Sequence, residues 1–253
     1  KGGRVLTPST TRKPRFSGEN EYHFENGWNS TDFAWEIDRG AEKYGMRWQE
    51  LKLVENVGLT VFDPASLPKL KASGAKEEFE IFTVGLNTIR DLAEQHARVG
   101  NDPKRMMQQA DFDLQKDVIS RCDVTLSGNS HVILGAVEEL AKIVGGRGGV
   151  LHSESIEKLI DAGSLMEGVD KSQIQPASYD LRIADEYWCQ GNFHTLNPSN
   201  RILRIPPYSF VIVQAAEVAK LPSFISASFD IRVSLFFSGV VLSNGPLRGS
   251  GLQ

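Results

Sequence analysis

The chain has 253 residues, 40% of them hydrophobic, which suffices for one large or two ordinary globular domains with packed cores. Its formal net charge of −4 gives no global drive toward nucleic acid or an anionic membrane, and no apolar run approaches the roughly 20 residues that span a bilayer. Two cysteines, Cys122 and Cys189, are too few for a disulfide framework and lack a Cys-x-x-Cys zinc spacing, so the expected compartment is a reducing cytoplasm.

The opening residues, Lys1-Gly-Gly-Arg4, do not have the pattern of a signal peptide. Pro8-Ser-Thr-Thr-Arg12-Lys-Pro-Arg15, followed by Gly18-Glu-Asn-Glu-Tyr22, concentrates guanidinium groups, hydroxyls and a phenol. Such a cluster suits an anionic ligand, because the guanidinium fork binds phosphate oxygens in pairs and the phenol adds a neutral donor. Apolar residues at three and four spacing predict helices over Lys104 to Val118 and Leu134 to Val144, with a short strand at Asp123-Val-Thr-Leu between them.

The run Gly145-Gly-Arg-Gly-Gly149 reads as a linker. Beyond it a short helix is predicted over Ser153 to Ala162, and then the composition turns to short apolar or alternating runs such as Ser209 to Gln214 and Ser226 to Val233, bounded by Pro206-Pro207 and Pro222. The expected organisation is therefore an α/β domain over residues 1–145 and a mainly β domain over residues 150–253. Within Gln173-Ile-Gln-Pro-Ala-Ser-Tyr-Asp-Leu-Arg-Ile183, Asp180 and Arg182 stand two apart and would share one face of a strand. Charges inside an apolar strand are costly unless they are paired or hold a ligand. His131, His152 and His194 have no zinc-deaminase spacing and read as surface or cap residues, so no zinc is expected.

The first half resembles the guanylate kinases, P-loop nucleoside monophosphate kinases, on the Arg12/Arg15/Tyr22 cluster, Phe33-Ala-Trp-Glu, Lys43-Tyr-Gly45 and the elements that follow. The resemblance implies an α/β P-loop fold in which Arg12, Arg15, Tyr22 and Tyr44 hold an acceptor phosphate. Asp63 would end a buried core strand, a further strand would cover Phe79 to Val84, Arg98 and Arg105 would be lid arginines, and ATP with Mg²⁺ would be the donor. Pro8, Ala34 and Met46 stand where that family reads guanine; the pattern is also similar to ribose-bisphosphate phosphokinases, and a pyrimidine or modified monophosphate is an equal alternative. No Gly-x-x-x-x-Gly-Lys-Ser/Thr occurs, and in that family it would precede residue 1.

The second half resembles the dCTP deaminase and dUTPase superfamily on residues 173–183 and on Arg232, Ser234 and Leu235, which fit its Arg-Ser-Ser-Leu-x-Arg motif. This implies a mainly β fold, a homotrimer or hexamer, nucleotide partners, and Mg²⁺ beside a triphosphate. Arg232 and Ser234 become catalytic candidates, and Asp180 becomes either a metal-proximal carboxylate or a structural ion pair with Arg182 or a neighbouring subunit. Val233 and Phe237 replace the motif's catalytic Ser and Arg. Three readings follow: a dCTP deaminase joined to a kinase-like domain, an inactive deaminase-fold scaffold or nucleotide sensor, and a dUTP diphosphatase. Phe210, Phe224, Phe229, Phe236 and Phe237 are expected to serve core and interface packing.

Overall fold

Apolar residues of the first half alternate along Phe33–Arg39, where Phe33, Trp35 and Ile37 are buried, and this strand pairs antiparallel with Glu42–Arg47. A computed structural model of the chain describes residues 3–61, 67–89, 92–99, 108–146, 148–243 and 246–248. The chain divides into two compact units, Lys1–Gly149 and Val150–Gln253.

In the first unit, a four-stranded mixed sheet runs in the order His23–Phe24, Ser9–Thr10, Glu42–Arg47, Phe33–Arg39. Its core gathers Leu6, Ala34, Trp35, Met46, Leu51, Leu70 and Ala75, with Trp48, Val54, Phe79 and Ile81 packed against them. Gly45 leaves no space for a side chain between the two longest strands of this sheet: a Cβ there would stand 2.7 Å from the Trp35 carbonyl oxygen. Two parallel pairs complete the unit, Arg4–Val5 with Gly58–Leu59 and Val84–Asn87 with Val124–Ser127. After the last of these the helix Ser130–Val144 begins, its amides capped by the Asn129 side chain, and it buries Ile133, Ala136 and Leu140. The strand expected over Phe79 to Val84 begins instead at Val84; Phe79 and Ile81 go to the core as irregular chain. Of the range Lys104 to Val118 expected to be helical, residues 104–107 lie outside the described residues, and the helix described is Gln109–Ser120.

The second unit is mainly β. It opens with the helix Ser153–Asp161, whose Ile156, Leu159 and Ile160 are buried at helical spacing. An antiparallel three-stranded sheet follows, Asn192–Thr195, Ile183–Cys189, Val211–Ala215, with a register shift between Ile183 and Tyr187. Smaller antiparallel pairs join Leu165–Glu167 to Val218–Lys220, Ile174–Gln175 to Ser178–Tyr179, and Ser226–Ser228 to Pro246–Arg248. Only the start of the Ser226 to Val233 run is strand, and Val233–Phe237 forms a short helix. Phe210, Phe236 and Phe237 are exposed on this chain, so the expected core role does not hold for them. Among the described residues no helix is long and apolar enough to cross a membrane.

Candidate functional site

In the first unit, a cavity of about 150 Å³ is lined by Arg15, Tyr22, Tyr44, Arg39, Thr60 and an apolar wall that includes Pro8, Trp35, Ile37 and Met46. The sheet brings Tyr22 and Tyr44 edge to face, with ring centroids 5.8 Å apart. Burial, reinforced by the bond that the Tyr44 hydroxyl donates to Glu42 Oε2 at 2.8 Å, pushes the Tyr44 phenol above its usual range, so it is a neutral donor at any physiological pH.

Arg12 does not line this cavity. Its guanidinium, on a residue only 6% exposed, bonds both carboxylate oxygens of Glu19 (3.0 Å from Nη1 to Oε2) and lies 4.9 Å from the Tyr22 ring centroid and 5.2 Å from that of Phe24. The Arg12 bond, opposed by burial and reinforced by the Arg15 amide, holds the Glu19 carboxyl at about 2. Arg15 anchors its backbone N–H on Glu19 at 2.7 Å, and its exposed guanidinium makes no ion pair among the described residues. The cluster thus splits into a buried arginine committed to an internal carboxylate and an open one at the cavity. Asp63 and Arg105 lie outside the described residues, as does the side chain of Arg98, which belongs to the helix Leu92–Val99.

In the second unit, the segment expected to be one strand is interrupted. Ser178–Tyr179 and Ile183–Cys189 are strands, whereas Asp180, Leu181 and Arg182 lie between them without a ladder. Asp180 and Arg182 consequently take different partners rather than each other. Asp180 Oδ2 accepts from Gln175 Nε2 at 2.9 Å and from the Arg232 guanidinium, while Arg182 turns to Glu217, with Nε 2.7 Å and its backbone N–H 3.0 Å from that carboxylate. Arg232 is the residue just before the helix Val233–Phe237, on which Ser234 is exposed. The fold therefore joins the carboxylate of the first motif to the arginine of the second. His152 precedes the helix Ser153–Asp161, and His131 and His194 are exposed.

Sequence reasoning missed Glu217 and Gln175. Glu217 carried a faint signal, a single carboxylate in the run Val213-Gln-Ala-Ala-Glu-Val218. Burial alone would push its carboxyl up, but Arg182 and the Tyr179 hydroxyl, 3.0 Å away, together hold it below the usual carboxylate range. Among the described residues no group of three or more His, Cys, Asp or Glu side chains is placed to hold a metal ion.

The family match falls almost entirely on this second unit. Residues 147–198 match the 2'-deoxycytidine 5'-triphosphate deaminase (DCD) N-terminal domain. A dUMP-forming dCTP deaminase of a Sulfurihydrogenibium species is 30% identical over 120 residues, which cover 41% of this chain and 67% of that protein. The chain belongs to the dCTP deaminase family. A dCTP deaminase of Pyrococcus abyssi is 34% identical over 77 residues, 30% of this chain and 49% of that protein. Another, from Thermococcus gammatolerans, is 32% identical over 92 residues, 36% of this chain and 55% of that protein. The chain thus spans about half the length of these two archaeal relatives.

Proposed function

We propose that the second unit binds a deoxynucleoside triphosphate with Mg²⁺ and deaminates dCTP to dUTP or dUMP. The observation that carries this reading is the Asp180–Arg232 pair, an acidic and a basic group from the two family motifs held together at the surface. Magnesium prefers oxygen ligands and is commonly held by one or two carboxylates together with substrate phosphates. A single carboxylate beside a guanidinium fits that division of labour, with Asp180 toward the metal, Arg232 toward the phosphates, and the Ser234 hydroxyl one helical step away. The relatives' names support the same reading, and with it go a homotrimer or hexamer and a cytoplasmic setting.

A second reading is favoured by Val233 and Phe237, which are 66% and 81% exposed and present apolar surface where the motif carries Ser and Arg. Under it, the unit binds nucleotide without turning it over and acts as a sensor or assembly module. A dUTP diphosphatase would use the same Asp180, Arg232 and Ser234. Incubating the full chain with Mg²⁺ and each deoxynucleoside triphosphate, and resolving products by anion exchange, separates the three. Conversion of dCTP is expected; release of dUMP from dUTP alone supports the diphosphatase, and triphosphates that all stay intact overturn both catalytic readings.

For the first unit we infer a phosphomonoester site of the guanylate kinase type, with ATP and Mg²⁺ as phosphoryl donor. Its support is the cavity that Arg15, Tyr22 and Tyr44 line together with apolar side chains. Phosphorylation of a panel of nucleoside and ribose monophosphates by the full chain with ATP tests it, and transfer to none of them overturns it.

A further inference from the structure

Glu217 lies outside both family motifs, yet its side chain is fully enclosed, with 0% exposure, and two residues of the first motif bond to it. Tyr179 Oη donates at 3.0 Å, the Arg182 backbone N–H at 3.0 Å and Arg182 Nε at 2.7 Å. These donors flank Asp180 on either side. The Tyr179 hydroxyl also accepts the Asp170 N–H at 3.0 Å, and the Ala216 N–H, one residue before Glu217, donates to the Arg182 carbonyl at 2.8 Å.

The segment from Asp180 to Arg182 has no strand ladder of its own, so its backbone polar groups need other partners. Glu217 and the chain beside it supply two, for the Arg182 N–H and carbonyl. Asp180 is then fixed by its backbone N–H on the Gln173 carbonyl at 3.0 Å and by neighbours pinned to a buried carboxylate, and in that position its own carboxylate meets Gln175 and Arg232.

We infer that Glu217 is a positioning residue: it substitutes for the missing ladder and sets where Asp180 stands relative to Arg232. This rests on the reading that the Asp180–Arg232 pair serves a triphosphate. A carboxylate is suited to the task because it accepts three donors at once, which a backbone carbonyl beside a bend does not. Glutamine keeps the volume of Glu217 but turns an N–H₂ group toward donors, so at least one of the three bonds is lost.

The test combines dCTP binding to the full chain, by calorimetry with Mg²⁺, and the side-chain nitrogen signals of Arg232 in NMR spectra without nucleotide, assigned by their loss in Arg232→Lys. Expected is a roughly tenfold weaker dCTP affinity in Glu217→Gln, no further loss when Glu217→Gln is added to Arg232→Ala, and Arg232 signals displaced as they are in Asp180→Asn. Affinity losses that add in the double variant, or Arg232 signals unchanged in Glu217→Gln, overturn the inference and leave Glu217 a purely structural carboxylate. Should Glu217→Gln fail to fold, Tyr179→Phe, which removes one of the three donors, is judged by the same two readouts. Wild-type protein that binds no dCTP overturns the triphosphate reading instead, and the nucleotide-free Arg232 signals still decide whether Glu217 sets the pair.

Discussion

Asp180 and Arg232 are 52 positions apart in the chain and form one ion pair, Arg232 about two-thirds exposed and Asp180 mostly covered. At such an exposed position the pair contributes little to stability, on the order of 1 kcal/mol or less. The role proposed for it is ligand binding instead. Arg232→Ala is expected to leave the melting temperature within about 3 °C of wild type while weakening dCTP binding at least ~10-fold. Arg232→Lys keeps the charge but loses the fork, and is expected to fall between the two. Calorimetric titration beside thermal melts checks both; equal binding by all three proteins removes Arg232 from the site.

The Arg12–Glu19 pair gives the first unit an acid-sensitive lock. Glu19 titrates at about 2 in the folded chain against 4.5 for an ordinary glutamate. A carboxyl depressed on folding contributes stability in full above its unfolded value and loses it as pH falls toward the folded one. Stability is therefore expected to decline between pH 4.5 and 2, and less steeply in Glu19→Gln. Urea unfolding at stepped pH, followed by tryptophan fluorescence, reports the first unit mainly, because Trp28, Trp35 and Trp48 lie there. Parallel pH slopes for the two proteins would sink this account.

Arg15 and Arg12 are predicted to behave oppositely on mutation. Arg15→Ala, at an exposed guanidinium on the cavity rim, should keep the fold and weaken monophosphate binding about tenfold or more whatever the base. Arg12→Ala instead strands the buried Glu19 carboxylate and should lower the melting temperature before any binding effect can be read. Differential scanning fluorimetry with and without a nucleoside monophosphate distinguishes them. A reversed pattern, with Arg15 critical for folding, would contradict the structure.

Gly45→Ala should be the most damaging single-methyl change in the sheet. Its Cβ would stand 2.7 Å from a backbone oxygen of Trp35 and 2.8 Å from Cδ1 of Phe33, whose ring stacks on Trp28 with centroids 3.9 Å apart, so the strand or the stack must shift. Overpacking of this kind costs about 2 kcal/mol. Gly45 also lines the cavity, so monophosphate binding should weaken along with the urea midpoint. Gly135→Ala, where an added Cβ meets nothing within 4 Å, is the control that should be neutral or stabilising.

Helices Ser130–Val144 and Ser153–Asp161 were legible in the sequence because apolar spacing and capping are encoded within a dozen residues. So were the mainly β character of the second half and its family motif, since alternating runs and turn residues are local as well. The partners of the charged residues were not legible. Sequence spacing put Asp180 and Arg182 on one strand face, but the strand breaks at Asp180 and the two diverge, one to Arg232 and the other to Glu217, 35 positions away. It also put Arg12 and Arg15 in one phosphate cluster, whereas a bend brings Glu19 back under Arg12 and leaves Arg15 open. Residue types and local periodicity by themselves determined these helices and the mainly β character of the second half. Which charge is paired internally and which is left for a ligand was decided only by tertiary structure, because an ion pair forms between whatever groups the sheet register and loop closure bring within a few ångströms, and that proximity is not encoded near either residue.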